Sequence, residues 1–84
     1  MNPSPPYPLE ALLAGIEGRP IFRVRISVEG HVESFKLATS SGSEILDNAA
    51  AATIRHWRFE PARRNGVPVA FEVLVPVTFS IRRS

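Results

Sequence analysis

Eighty-four residues without a cysteine exclude a disulfide-stapled scaffold and any thiol chemistry, and leave room for one core that buries roughly 60–65% of the unfolded surface. Ten Lys and Arg against eight Asp and Glu give a net charge of +2, a weak overall field for steering nucleic acid or anionic lipid. No run approaches the roughly 18 apolar residues of a membrane span and the first residues do not read as a signal peptide, so the chain reads as one soluble domain.

Residues 2–8 carry four prolines and read as extended chain that packs, if at all, through Tyr7. This composition reads as the end of a Pro-rich linker over 1–8, cut within it, with the domain over 9–84. Leu9 to Ala14 are good helix formers stopped by Gly15 and Gly18, which predicts one or two turns. After Pro20, the residues Phe22, Val24, Ile26 and Val28 alternate with Arg23, Arg25 and Ser27, the period-2 pattern of a strand wet on one face. Glu29-Gly30 signals a turn, and Val32 to Thr39 the returning strand, with Phe35 and Leu37 inward.

Ser41 and Glu44 have capping-box spacing, so a helix is expected from near Glu44. Its apolar stripe is Leu46, Ala49, Ala50, Thr53, Ile54 and Trp57, with Asn48, Ala51 and Arg55 opposite. Pro61 forbids continuation, and Asn65-Gly66 supplies the positive φ angles of a tight turn. From Ala70 to Ile81, Phe71, Val73, Val75, Val77, Phe79 and Ile81 share one face against Glu72, Leu74, Pro76, Thr78 and Ser80, the longest alternation in the chain.

These elements predict an α+β fold: a three-stranded antiparallel or mixed sheet in the order second, first, third, packed by one main helix, with a short N-terminal helix. The third strand is then an edge. Pro76 points to the same place, because proline cannot donate to a sheet ladder and is confined to edges and bulges. Residues of the parity of Pro76, namely Glu72, Leu74 and Thr78, are expected to turn their backbone N–H and C=O to the open side, provided there is no bulge. An apolar edge whose sole charge is Glu72 invites a partner strand, either a peptide or a second copy.

Catalysis finds no support: no pair of carboxylates falls in a plausible cleft. His31 and His56 lack metal-ligand spacing, and Ser40-Ser41-Gly42-Ser43 lacks the lysine of a phosphate loop and reads as capping. Arg55-His56-Trp57-Arg58-Phe59 with Arg63-Arg64 is open to a nucleic-acid reading, but core aromatics flanked by solvated arginines fit the small net charge better. Glu60, between Arg58 and Arg63, reads as an ion-pair partner holding the connector.

The chain resembles the C-terminal domain of the TonB family. Tyr7-Pro8, Ile16-Glu17-Gly18, Gly30 and Val32, Ser41-Gly42, Trp57-Arg58-Phe59-Glu60-Pro61-Ala62, Asn65-Gly66-Val67-Pro68-Val69 and Val75-Pro76-Val77 carry the likeness over nearly its whole length. One departure is Ser4, where the family often has Gln ahead of Pro-x-Tyr-Pro. The resemblance implies a non-enzymatic periplasmic domain without cofactor, metal or nucleic acid, at the end of a protein anchored in the inner membrane by one N-terminal helix and a Pro-rich spacer. It implies coupling of the proton-motive force, through an ExbB–ExbD-like complex, to outer-membrane receptors that import iron-siderophores, haem or vitamin B12. Docking would add the receptor's TonB-box strand to the third strand. The expected partner-binding residues are Tyr7, Pro8, Ala70, Phe71, Glu72, Val73, Leu74, Val75, Pro76 and Thr78, with Arg55, Arg58, Arg63 and Arg64 steering acidic receptor surfaces. A homodimer through the third strand and a TolA-like structural envelope domain are the alternatives.

Overall fold

In the computed structural model, which describes residues 2–82, a short helix α1 (Leu9–Leu13) leads into the hairpin β1 (Ile21–Ile26) and β2 (Val32–Thr39). The main helix α2 (Glu44–Ile54), a small hairpin of β3 (Ala62–Arg64) and β4 (Val67–Val69), and β5 (Phe71–Pro76) follow. The expected linker start at Met1 and domain end at Ser84 lie outside the described residues.

The fold is α+β, and the main sheet has the order β2-β1-β5 with every pair antiparallel, the predicted order of second, first and third strands. Alternation explains the layering. Phe22, Val24 and Ile26 are buried on one face of β1, while Arg23 and Arg25 stand exposed on the other. Leu46, Ala50 and Ile54, one stripe of α2 at helical spacing, join those three residues in a single core with Ala11, Val77 and Phe79. Phe35 reaches the core from β2, its ring edge-to-face on Phe22 at 5.9 Å. Leu37 does not: it lies opposite Phe22 but remains 42% exposed, a correction to its expected inward burial.

Four further expectations change. The long strand from Ala70 to Ile81 ends as regular ladder at Pro76; beyond it, Val77 and Phe79 are buried and continue as isolated backbone contacts with Pro20 and Gly18. The helix stops at Ile54, so Trp57 is a half-buried residue of the connector rather than the end of the helical stripe. The cap is Ser43, whose Oγ accepts the Leu46 N–H, not Ser41. Glu60 makes no ion pair among the described residues, and the connector is held instead by the Phe59 N–H donating to the Gly30 carbonyl at 2.8 Å.

Ser41 has a different task. Its N–H and hydroxyl both donate to Asp47 Oδ1 (2.9 and 2.7 Å), and the Ser40 hydroxyl donates to Oδ2, so one carboxylate in the first turns of α2 ties down the β2–α2 connection. Partial burial pushes the Asp47 carboxyl up, but these three bonds outweigh it and hold it below its ordinary value. A carboxyl depressed in the folded state contributes stability above its unfolded pKa of about 3.9, and that contribution is lost as pH falls through the folded value. Asp47→Ala is therefore expected to cost about 1–2 kcal/mol near neutrality. Urea unfolding compared at neutral pH and below about pH 3 should show the gap between wild type and variant narrowing in acid; a gap independent of pH would refute the role of the charge.

Candidate functional site

The two outer strands of the sheet differ in how they end it. β2 carries an extra residue against β1 at two points, Ala38 and Glu33, and β5 carries none. Bulges twist an edge away from further pairing, so β2 is a protected edge and β5 a regular one.

Parity on β5 follows from its far end. Gly18 and Phe79 exchange N–H···O bonds in both directions (3.1 and 2.8 Å), and the Val77 N–H donates to the Pro20 carbonyl at 2.9 Å. The register runs unbroken from there, pairing Phe22 with Val75, Val24 with Val73 and Ile26 with Phe71. Bonding positions in an antiparallel ladder recur at every second residue, so Phe71, Val73 and Val75 turn their backbone groups toward β1. Glu72, Leu74 and Thr78 turn theirs away, as does the carbonyl of Pro76, whose missing N–H costs the sheet nothing there. No strand lies beyond β5 among the described residues.

Side chains follow the same alternation. Phe71, Val73 and Val75 are half-buried against the core, while Leu74 is 53% exposed and Glu72, Pro76 and Thr78 are exposed. Glu72 sits across from Arg25 on the helix-free face, with carboxylate contacts to Arg25 at 3.6 Å and Arg23 at 3.9 Å. All three side chains are about half exposed, so these pairs contribute little stability and mainly fix where the charge lies.

The N-terminal segment runs beside this edge, held at several points. The Asn2 side chain bonds both to the N–H (2.7 Å) and to the carbonyl (2.8 Å) of Arg58, and Trp57 Nε1 donates to the Pro3 carbonyl at 2.9 Å. Tyr7 stacks edge-on against Phe79, centroids 5.4 Å apart, and its hydroxyl donates to the Ile16 carbonyl. Its phenol titrates above the ordinary value, first through desolvation and then through the Glu17 carboxylate. Ser4, Pro5, Tyr7 and Trp57 form one wall of a cleft of about 370 Å³ whose other wall is Pro76 to Ser80.

Of the expected partner-binding residues, the structure gathers Phe71 to Thr78 on one edge and brings Tyr7 to its far end. Pro8 instead caps α1, its carbonyl accepting the Leu12 N–H, and Ala70 is the exposed link between β4 and β5. The four arginines do not form one group: Arg63 and Arg64 project from β3, with Arg63 donating to the Gly66 carbonyl, whereas Arg55 and Arg58 flank His31 and His56. The contribution of Asn2, Pro3 and Ser80 has no signal in composition or periodicity; it arises from contacts across 54 and 56 positions of chain for Pro3 and Asn2. Among the described residues no group of three or more His, Cys, Asp or Glu is placed to hold a metal ion, and no helix is long and apolar enough to cross a membrane.

Comparison with known proteins gives a consistent likeness. The family model described as Gram-negative bacterial TonB protein C-terminal matches residues 3–81. The chain is 36% identical to protein TonB of Vibrio cholerae over 92% of its own length and 32% of the relative's. It is 38% identical to protein TonB of Xanthomonas campestris pv. campestris over 96% of its length and 36% of the relative's. The solution NMR structure of the Pseudomonas aeruginosa TonB C-terminal domain superposes with a TM-score of 0.83 at 28% identity, covering all of this chain and 85% of that one. The chain thus spans about a third of the length of these curated relatives.

Proposed function

Because the chain belongs to the TonB C-terminal family, we propose that it is the receptor-docking domain of a periplasmic energy transducer, non-enzymatic, and that β5 receives the TonB-box strand of an outer-membrane transporter. The observation that carries this reading is the outward parity of Glu72, Leu74 and Thr78 on a bulge-free edge. In it, the longer protein is anchored in the inner membrane by a single N-terminal helix and driven by an ExbB–ExbD-like complex, and the transporters import iron-siderophores, haem or vitamin B12. Backbone bonds supply most of the affinity, and burial of the exposed Leu74 adds to it.

Titration of the 15N-labelled domain with a TonB-box peptide should shift amides of residues 70–80. Shifts centred elsewhere, or no binding, would overturn the docking reading. A second copy is the competing occupant of the same edge, and sedimentation across a range of concentrations separates the two: a homodimer through β5 must dissociate as peptide is added.

Arg55, Arg58, Arg63 and Arg64 make no ion pair among the described residues and supply the positive field that steers acidic receptor surfaces. Replacing all four by Gln is expected to slow association with a whole receptor several-fold at low salt and to leave dissociation nearly unchanged, since exposed rim charges act on encounter. Stopped-flow measurements at two ionic strengths would check this, and an effect confined to dissociation would refute it.

A further inference from the structure

On the side of the domain where β2 begins, two segments meet around a cavity of about 210 Å³ lined by His31, Val32, Arg55, His56, Trp57 and Arg58. The backbone holds this arrangement. His31 and Arg58 form an isolated antiparallel bridge, reinforced next door by the Phe59 N–H on the Gly30 carbonyl. The turn closing α2 brings Arg55 and His56 into the same lining, held by the His56 N–H on the Thr53 carbonyl and the Trp57 N–H on the Ile54 carbonyl, each at 3.0 Å. The Asn2 side chain bonds to both the N–H and the carbonyl of Arg58.

The lining holds two guanidinium groups and two imidazoles and no carboxylate. Each ion pair among the described residues uses Arg23 or Arg25 with Glu33 or Glu72, so Arg55 and Arg58 keep their full charge. A second basic cavity of about 330 Å³, formed by Arg23, Arg25 and Lys36, makes the contrast plain: Glu72 is part of its lining and Glu33 pairs with Arg25 at 3.2 Å, so its charge is cancelled locally. In the first cavity, Arg58 Nη1 lies against both ring nitrogens of His31, its only side-chain partner among the described residues. An anionic oxygen is a stronger acceptor for the same donor.

We propose that this cavity is a binding site for a phosphoryl group. Four donor side chains, His31, Arg55, His56 and Arg58, face one space, and a terminal phosphoryl group offers them three oxygens where a carboxylate offers two. The volume equals about seven waters at ~30 Å³ each, room for one such group with part of its hydration. The site does not depend on the docking edge, and the source of the phosphoryl group is either a small phosphate or a phosphorylated lipid headgroup.

The test is a set of amide-shift titrations of the labelled domain at neutral pH. Sodium pyrophosphate should give saturable shifts at His31, Val32, Arg55, His56, Arg58 and the Trp57 indole, while sodium chloride and sodium acetate at matched ionic strength give only small, linear ones. Arg55→Gln with Arg58→Gln should weaken pyrophosphate at least tenfold with the rest of the spectrum unmoved. Should that pair disturb folding, Arg55→Gln alone decides, because its side chain is exposed and makes no ion pair among the described residues. Vesicles of phosphatidic acid, whose phosphomonoester headgroup presents three terminal oxygens, against phosphatidylcholine identify the source: selective broadening of the same resonances by the first assigns a headgroup, and pyrophosphate saturation without it assigns a small phosphate. Failure of both probes, acetate shifts equal to those of pyrophosphate, or equal shifts at Arg23, Arg25 and Lys36 would overturn the proposal.

Discussion

Leu74→Pro is expected to weaken binding of a TonB-box peptide by about ten- to a hundredfold while leaving the domain folded. The substitution removes an outward N–H, worth about 0.5–1.5 kcal/mol in a paired strand, and places a ring where the incoming backbone has to approach. At 1.4 kcal/mol per factor of ten, the lost bond and the steric obstruction together reach that range. The cost to the domain itself should stay near 1 kcal/mol, since proline is tolerated on an edge strand when its nitrogen faces solvent, as the neighbouring Pro76 already shows. Val73→Pro is the necessary counterpart. Its nitrogen faces Val24 in the middle of the β1–β5 ladder, so the same chemistry one position away should cost about 3 kcal/mol or more and compromise folding. Isothermal titration for the first variant and urea denaturation for both check the pair. If Leu74→Pro unfolds and Val73→Pro does not, the parity derived from the Gly18–Phe79 exchange is reversed.

Gly30→Ala should be the most damaging single methyl in the chain. The residue sits at φ +88°, a conformation costly for any L side chain, and a Cβ there would lie 2.1 Å from the Phe59 carbonyl oxygen. That oxygen belongs to backbone and has little room to give: the adjacent Phe59 N–H is bonded to Gly30's own carbonyl. Relief would require separating the β1–β2 turn from the connector, which also loosens the His31–Arg58 bridge. A loss of about 3–5 kcal/mol is expected, the sum of backbone strain and a broken buried contact. For a domain of this size that corresponds to a fall in melting temperature of at least about 12 °C. Gly66→Ala provides the comparison. It shares a positive φ of 81°, but a Cβ there meets nothing within 4 Å, so only the backbone cost, about 1 kcal/mol, should appear in thermal melts.

What could be read from the chain before its structure was whatever depends on period and punctuation. The two-residue alternation of Phe22 to Ile26 and of Phe71 to Val75 fixed which side chains face the core, and Pro76 located the edge. Asn65-Gly66 marked the β3–β4 turn because consecutive positive φ angles demand such residues, and both are found there, at 51° and 81°. Where the reading stopped short, the deciding contact lay between residues distant in sequence. The alternation beyond Pro76 persists in the side chains, yet the regular ladder stops there because Pro20 opposite Val77 has no N–H to return. Ser41 has capping-box spacing, but the Asp47 carboxylate claims its hydroxyl and leaves the cap to Ser43. Nothing local to Asn2 or Pro3 indicates that they bond to Arg58 and Trp57.

Those last bonds bear on how a tether would act. The segment ahead of α1 is fastened by the Asn2–Arg58 clip, the Trp57–Pro3 bond and the Tyr7 contacts with Ile16 and Phe79, one after another along the chain. A pull from the N-terminal side meets them in series, like stitches in a seam, so each bears the whole load alone and they part in turn. Opening the seam from Asn2 to Tyr7 would pay out roughly 20 Å of chain at ~3.3–3.6 Å per residue before tension reached the sheet. It would also remove the wall that Ser4, Pro5 and Tyr7 give the cleft beside Pro76 to Ser80, so slack in the line and the shape of the β5 edge are coupled.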